Sequence, residues 1–175
     1  MNNKPFLITG LPRSATAWLS VVMTTDKSIC YHDIISERLY ESNFEWIKPI
    51  WLSPYGYNHI GVSDSGAGFI LPWIREEIRP NVLIVERDIN EVIKSVKESK
   101  HLSTDNIKYV YNLQDNIDDF CLTNKGSDFL RTIPFEELFD VDIIVKLMNH
   151  LIPNCITPDT NRISHLIEMN IQRIY

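Results

Sequence analysis

A segment that could bind an anion follows the first apolar run of the chain. Residues 5–9 are apolar and β-prone, and residues 10–18 read GLPRSATAW before a helical pattern begins. Unpaired backbone N–H groups at the start of a helix attract negative charge, and Arg13 adds a fork of charged donors to them. Ser14 and Thr16 add hydroxyl groups to the same turn. This combination predicts a phosphate or sulfate site.

The residues of this loop alone leave two interpretations open. A Walker A loop, G-x-x-x-x-G-K-[ST], would need glycine at position 15 and lysine at position 16. Ala15 and Thr16 stand there instead, which disfavours an ordinary ATP or GTP hydrolase. Arg13 and Ser14 could equally well cap a helix and face the solvent.

A second group of anion-binding residue types occurs in ERDINEVIKS, at residues 86–95. Arg87 follows the continuous apolar run 82–85, which is typical of a central parallel strand. Asp88 predicts the start of a helix, and Ser95 then lies roughly 10 Å along its axis. Arg87 and Ser95 are therefore predicted to hold one phosphate between them if the arginine side chain reaches forward.

Strands that alternate with helices are predicted to position these residues. Apolar β-prone runs predict strands at residues 5–9, 28–32, 59–63, 82–85 and 129–133. Helical spacing of apolar residues predicts helices at residues 15–25, 33–40, 69–78, 88–96, 104–121, 141–151 and 157–174. This alternation predicts one three-layer α/β/α domain over residues 1–175, with a parallel sheet of about four to five strands.

The composition disfavours several classes of protein. The 175 residues carry a formal charge of −6 with a sequence pI near 5.3, which disfavours binding to nucleic acid or to an anionic membrane. The odd cysteine count makes no disulfide framework or metal motif, and the histidines show no metal-ligand spacing. The chain contains no apolar run of about 18 residues, and its N-terminus does not fit a signal peptide. We therefore expect a cytoplasmic protein that needs no metal.

The two anion motifs together resemble those of the sulfotransferases that use 3′-phosphoadenylyl sulfate (PAPS). Members of that family carry a PRSGTTW-type loop after strand one and an R-D-P-x-x-x-x-x-S stretch on a later strand and helix. The matching segments here are PRSATAW at residues 12–18 and ERDINEVIKS at residues 86–95. Residues 130–139, LRTIPFEELF, are similar to the family's Y/F-E-D-L junction. The resemblance implies a P-loop-like fold and transfer of a sulfuryl group from PAPS to a hydroxyl or amine of a small-molecule acceptor.

The resemblance also implies roles for individual residues. Arg87 and Ser95 would bind the 3′-phosphate, and Arg13 would stabilise charge on the departing 5′-phosphate. Trp18 matches a family tryptophan near the adenine, although a core position on the first helix explains it about as well. The loop that would bind the 5′-phosphosulfate consists of Pro12, Arg13, Ser14, Ala15, Thr16, Ala17 and Trp18.

A general base is implied just after the second strand, where the family places a histidine or glutamate. His32 and Asp33 stand there. His32 is the preferred base, because an imidazole with an ordinary pKa of about 6.5 can accept a proton at neutral pH, and Asp33 would orient it. The alternative is that Asp33 caps a following helix and His32 is structural. Glu37 and Glu41 are further candidates for the base.

The chain departs from the family pattern in several places. Ala15 and Ala17 replace a glycine and a threonine of the loop. The family's C-terminal R-x-G-x-x-G segment, a second clamp on the 3′-phosphate, has no counterpart, and Arg162 or Arg173 are the candidates to replace it.

Three questions stay open at the level of sequence. Asp64 either faces the same crevice or forms an Asx turn before Gly66. A nucleotide-dependent kinase with an atypical phosphate loop is an alternative function. A non-catalytic nucleotide-binding module is another.

Overall fold

The computed structural model describes residues 4–40, 43–52, 56–98, 104–153 and 158–174. The strands are β1 Lys4–Gly10, β2 Ser28–His32, β3 His59–Ser63, β4 Asn81–Glu86 and β5 Leu130–Pro134. The helices are α1 Thr16–Met23, α2 Lys48–Leu52, α3 Leu71–Glu77, α4 Ile89–Glu98, α5 Thr104–Thr123, α6 Val141–Leu151 and α7 Thr160–Ile174.

The strands form one parallel sheet of five strands in the order β2-β3-β1-β4-β5. This confirms the α/β fold with a parallel sheet of four to five strands. Because every strand runs in the same direction, all the carboxyl ends lie at one edge. β1 is central. The chain then adds β2 at one edge and β3 between β2 and β1, and afterwards crosses to the other side of β1 to add β4 and β5, so the winding changes direction beside β1. Ligands of open α/β sheets bind in the crevice at such a switch point.

Two hydrophobic cores, one on each face of the sheet, make the fold three-layered. Alternate residues of a strand point to opposite faces, so Leu7 belongs to one core while Phe6 and Ile8 belong to the other. The first core packs against α3, α4 and α5. The second core packs against α1, α6 and α7. Both faces of β4 are covered, which explains its unbroken apolar sequence.

Gly10 ends β1 beside β4 and begins the segment of residues 10–18, which we call the anion loop because the sequence predicts an anion site there. It pairs with Val85 at the carboxyl ends of β1 and β4. A Cβ atom at this position would lie 2.5 Å from the carbonyl oxygen of Val85. A larger residue would therefore push the two strand ends apart, exactly where the loop begins its turn toward α1.

Two predicted helices differ from the structure. The predicted helix 33–40 is only a short 3-10 helix, Ser36–Arg38, and Tyr40 is 83% exposed. The predicted helix 69–78 is a 3-10 helix, Ser65–Ile70, followed by α3. Proline fits the first turn of a helix but not its interior, and Pro72 therefore sets the start of α3.

The connection between β2 and β3 contains a short 3-10 helix, Glu45–Ile47, and α2, which supplies the buried Trp51. Residue 157, where the sequence predicts the last helix to begin, lies outside the described residues. In the part of the chain that is described, no helix combines the length and apolar character needed to cross a bilayer.

Candidate functional site

The loop between β1 and α1 has an unusual backbone. Arg13 and Ala15 both have left-handed backbone conformations, with φ of 68° and 60°. This conformation costs an L-residue such as alanine roughly 1–2 kcal/mol. Turns that contain such residues bring successive backbone N–H groups to one concave side, where they bind anions. The strain at Ala15, immediately before α1, is typical of a ligand-binding loop.

A cleft of about 970 Å³ opens beside this loop at the carboxyl edge of the sheet. It is lined by the loop, the start of α1, the end of β2, one face of α4, and residues of α7. All of the predicted site residues except Ser14 line it: Pro12, Arg13, Ala15, Thr16, Ala17, Trp18, His32, Asp33, Arg87 and Ser95. The structure thus brings together residues that are up to 83 positions apart in the sequence.

Ser14 is the exception among the loop residues. Its side chain is fully buried, and its hydroxyl has no hydrogen-bond partner among the described residues. Its backbone N–H donates to the carbonyl of Leu11 at 3.2 Å, which closes the turn. Ser14 therefore shapes the loop, and the expected contact of its side chain with an anion stays a prediction.

The two predicted anion groups touch each other. Arg13 Nε donates to Ser95 Oγ at 3.3 Å. Arg87 Nη1 donates to the carbonyl oxygen of Arg13, and the Arg87 guanidinium carbon lies 4.2 Å from the centroid of the Phe135 ring. Ser95 is therefore bound by Arg13, and the expectation that Arg87 and Ser95 hold one phosphate between them stays a prediction. The two predicted sites are contiguous.

Arg87 is held in place, but not all of its N–H donors have acceptors. Its side chain is 16% exposed, and Nε is buried without a hydrogen bond among the described residues. The nearest carboxylate oxygen, Glu91 Oε2, is 3.8 Å from Nε, which is too far for a hydrogen bond. A buried donor without an acceptor costs about 1–3 kcal/mol, more when it is charged. Because Nε is itself buried, it can meet an anion in the cleft only after the guanidinium turns.

His32 contacts the anion loop through Thr16. Its Nε2 atom is 3.4 Å from Thr16 Oγ1 and 3.2 Å from Asp33 Oδ1. Thr16 is itself fixed, because Ser63 Oγ donates to its carbonyl oxygen at 2.7 Å. The imidazole is 32% exposed, so it is accessible from the cleft. This geometry places a proton acceptor beside the loop that would hold the transferred group.

Asp33 does not cap a helix, so that interpretation of the sequence is wrong. Its φ of 54° is left-handed, and its carboxylate contacts His32 instead. Burial raises the pKa of the Asp33 carboxyl, His32 lowers it, and the nearby carboxylates of Asp64 and Glu37 raise it. The net pKa of Asp33 lies above its ordinary value. Glu41, the more distant candidate base, lies outside the described residues.

Asp64 performs the capping role instead. Its side chain is fully buried and accepts hydrogen bonds from the backbone N–H groups of Ile35 at 2.6 Å and Ser36 at 2.9 Å. It also accepts from Gly66 N at 2.8 Å, which confirms the Asx turn. Asp64 therefore fixes the segment after β2, and with it the position of Asp33. Its role as a clamp on residues 35 and 36 was not predicted.

We expect the raised pKa of Asp33 to make its replacement pH-dependent. A carboxyl with a raised pKa in the folded state stabilises the fold when it is protonated, and this contribution is lost as the pH rises through the folded-state pKa. Asp33→Asn cannot ionise, and asparagine tolerates left-handed backbone. The melting temperature of Asp33→Asn should therefore exceed that of the wild type at pH 7, with a smaller difference at pH 4.

Thermal denaturation at the two pH values tests this expectation. Asp128→Asn, at an exposed carboxylate shortly before β5, is the control and should show no such pH-dependent gain. A melting temperature of Asp33→Asn below that of the wild type at pH 7 would contradict the assignment.

Trp18 fits part of both interpretations made from the sequence. Its Nε1 atom donates to the carbonyl oxygen of Leu166 at 3.0 Å, and its ring packs at 6.4 Å from that of Phe139. Trp18 also lines the cleft, together with Leu166 and Met169 of α7. It therefore joins α1 to α7 and leaves an apolar surface beside the anion loop. Its contact with an adenine stays a prediction.

Arg162 is not available as a second clamp, so that expectation is wrong. Its guanidinium donates to the carbonyl oxygens of Val21, Val22 and Thr24 at 2.7–3.2 Å. These carbonyls lie at the C-terminus of α1, where a helix favours positive charge. Arg162 therefore ties α7 to α1. The side chain of Arg173 lies outside the described residues.

Several cleft residues were not predicted. Glu91, Lys94 and Glu98 share the cleft face of α4 with Ser95, and helical spacing from Ser95 could have identified them. Phe135 was noted only as part of a motif. Leu166 and Met169 could not have been identified, because the position of α7 depends on packing between distant segments. Within the described residues, no group of three or more His, Cys, Asp or Glu side chains could hold a metal ion.

Comparison with solved structures identifies the fold. The mouse sulfotransferase SULT7A1 complexed with PAP superposes with a TM-score of 0.64 at 12% sequence identity, over 100% of this chain and 68% of that one. The fold is sulfotransferase-like. No protein-family model matches the chain, and no curated protein matches it in sequence. The sulfotransferase-like fold thus agrees with the P-loop-like parallel sheet and its anion loop.

Proposed function

We propose that the chain is a PAPS-dependent sulfotransferase that acts on a hydroxyl or amine of a small molecule. The observation that carries this proposal is that Arg13, Thr16, His32, Arg87 and Ser95 line one cleft beside a left-handed anion loop. The sulfotransferase-like fold supports it, and the neighbour named above is complexed with PAP, 3′-phosphoadenosine 5′-phosphate.

The residues of the cleft fit a donor that carries two separated anionic groups. The guanidinium of Arg87 lines the cleft and keeps N–H donors for a phosphate, because its hydrogen bond to the Arg13 carbonyl uses only Nη1. The loop around Arg13 supplies backbone N–H groups and a second guanidinium for the phosphosulfate end. The apolar surface of Trp18, Leu166 and Met169 fits a purine ring beside these two ends.

When bound, PAPS supplies an activated sulfuryl group on a good leaving group. His32 accepts the proton of the acceptor hydroxyl or amine on Nδ1, because Nε2 faces the Asp33 carboxylate, as the acceptor oxygen or nitrogen forms a bond to sulfur. Arg13 and the loop N–H groups stabilise the negative charge that builds on the 5′-phosphate oxygen as its bond to sulfur breaks. Arg87 and Ser95 hold the 3′-phosphate, so that the reacting groups stay in line.

Asp33 contacts His32 Nε2, so it stabilises the imidazolium that forms when the proton is transferred. Thr16 contacts the same nitrogen and belongs to the anion loop. It therefore fixes the position of the base relative to the transferred group. No step of this mechanism requires a metal.

A transfer assay tests the proposal. The protein is incubated with PAPS labelled in its sulfuryl group and a panel of small hydroxyl and amine acceptors, and labelled product is separated from donor. We expect acceptor-dependent release of PAP with one labelled product per PAP. In a parallel reaction with ATP as the donor, phosphoryl transfer without any sulfuryl transfer from PAPS would instead establish the kinase. PAP binding without turnover on any acceptor would favour a nucleotide-binding module.

A further inference from the structure

One face of α4 presents a polar stripe to the cleft. Glu91, Lys94, Ser95 and Glu98 follow the spacing i, i+3, i+4 and i+7, and all four line the cleft. The opposite face of the helix, with Val92, Ile93 and Val96, is buried in the core. The stripe is therefore held rigidly against the sheet, and its side chains have a defined orientation toward any ligand in the cleft.

The positive charges of the cleft differ in how much of their donor capacity is free. Among its described residues they are Arg13, Arg87 and Lys94. Arg13 donates to Ser95, and Arg87 donates to the Arg13 carbonyl and lies over an aromatic ring. Lys94 is exposed and makes no hydrogen bond or ion pair with the described residues. All three donors of its ammonium group are therefore available to a ligand, whereas each arginine already commits a donor to another described residue.

The negative charges of the cleft weaken its attraction for an anion. Asp33, Glu91 and Glu98 line the same surface, so the formal charges of the described cleft residues cancel. Glu91 lies 3.8 Å from Arg87 and offsets part of the attraction that Arg87 exerts on an anion. A phosphate near Arg87 and Ser95 carries close to two negative charges. Arg87 is partly offset by Glu91, and Arg13, which also bonds to Ser95, is assigned to the 5′ end of the donor, so a further cation would strengthen the site.

We propose that Lys94 is the second cationic contact for the 3′-phosphate of the donor. The inference rests on the proposed function. Lys94 adjoins Ser95, so their Cα atoms are about 3.8 Å apart. Its flexible four-carbon side chain and three rotatable donors suit a phosphate whose position is already set by Arg87 and Ser95. Lys94 then determines how strongly the site distinguishes a 3′-phosphorylated nucleotide from one that lacks this group.

Calorimetric titration with PAP and with adenosine 5′-phosphate (AMP) tests the assignment, since the two ligands differ only in the 3′-phosphate. Lys94→Gln should weaken PAP binding about fivefold and leave AMP binding unchanged within about twofold. Lys94→Arg should retain the wild-type affinity for PAP. The matched control is Lys97→Gln, which makes the same change of charge on the same helix at an exposed lysine outside the cleft lining, and it should bind both ligands like the wild type.

Four results would overturn the assignment, and they differ in what else they exclude. Equal losses for Lys94→Gln and Lys97→Gln would show a general charge effect. Equal losses of PAP and AMP affinity in Lys94→Gln would show a role away from the 3′-phosphate. If the wild type prefers PAP and Lys94→Gln binds PAP as tightly as the wild type does, this inference alone is refuted. If the wild type shows no preference for PAP, the proposed function is refuted as well.

Discussion

Replacement of Arg13 by alanine should lower the rate of sulfuryl transfer by about 10²–10³-fold, the usual cost of removing one donor that stabilises transition-state charge. Arg13 lies in the left-handed loop, lines the cleft and bonds to Ser95, so it connects both ends of the donor site. Its loss should also weaken PAP binding. The rate is measured with saturating PAPS, so that a change in donor affinity is separated from a change in turnover.

The chain offers a matched control for this substitution. Arg79 is also an exposed arginine with a left-handed backbone, at φ 58°, but it follows α3 and does not line the cleft. Arg79→Ala should have the same effect on the unfolded chain and leave the transfer rate unchanged. Arg13→Lys keeps the charge without the guanidinium fork and should fall between the wild type and Arg13→Ala. An Arg13→Ala variant with wild-type turnover would refute the role given to this loop.

The second large effect is expected at His32. Glutamine at this position keeps a hydrogen-bonding group near Thr16 but cannot take up the proton of the acceptor. His32→Gln should lower kcat by about 10²–10⁴-fold, the contribution of a positioned general base. Binding of PAP should change little, because the histidine contacts the anion loop only through Thr16.

The pH dependence distinguishes a base from a structural histidine. A general base acts only in its deprotonated form, so the wild-type rate should rise with pH, and this rise should be absent from the residual activity of His32→Gln. His165→Gln, an exposed histidine of α7 outside the cleft lining, is the control and should keep the wild-type profile. A His32→Gln variant that retains both the wild-type kcat and the wild-type pH profile would exclude His32 as the base and direct attention to Asp33 or Glu37.

Much of the local structure could be predicted because it depends on neighbouring residues. The strand at residues 28–32, the strand at 59–63 and the helix at 141–151 have the predicted bounds. The loop after β1 was recognisable because its residue types occur between an apolar strand and a helix. The position of Ser95 followed from helical geometry, once Asp88 was identified as the cap that accepts from Asn90 N and Glu91 N.

The remaining features depend on contacts between distant segments. Asp64 fixes the backbone of Ile35 and Ser36 from another strand, so helical spacing after Asp33 gave a helix that does not form. Arg162 binds the carbonyl groups at the end of α1, 138–141 residues away, which no local pattern reveals. The contact of Arg13 with Ser95 likewise reflects side-chain directions that are set only when the sheet and helices assemble.

The formal charges of the cleft cancel, whereas the chain as a whole carries a charge of −6. The acidic surface disfavours long polyanions, whereas a compact donor needs only the anion loop and the stripe on α4. Specificity then depends on a few well-placed cations, of which Arg13 and Lys94 are exposed and can be removed without loss of the core.

The central claim is that the cleft binds an adenine nucleotide with phosphates at both the 5′ and 3′ positions. Calorimetric titration of the wild-type protein with PAP and with AMP tests it most directly. The account predicts that PAP binds at least about tenfold more tightly than AMP, because charge-assisted contacts of Arg87, Ser95 and Lys94 to the 3′-phosphate are lost in AMP. Equal affinities for the two nucleotides would contradict it.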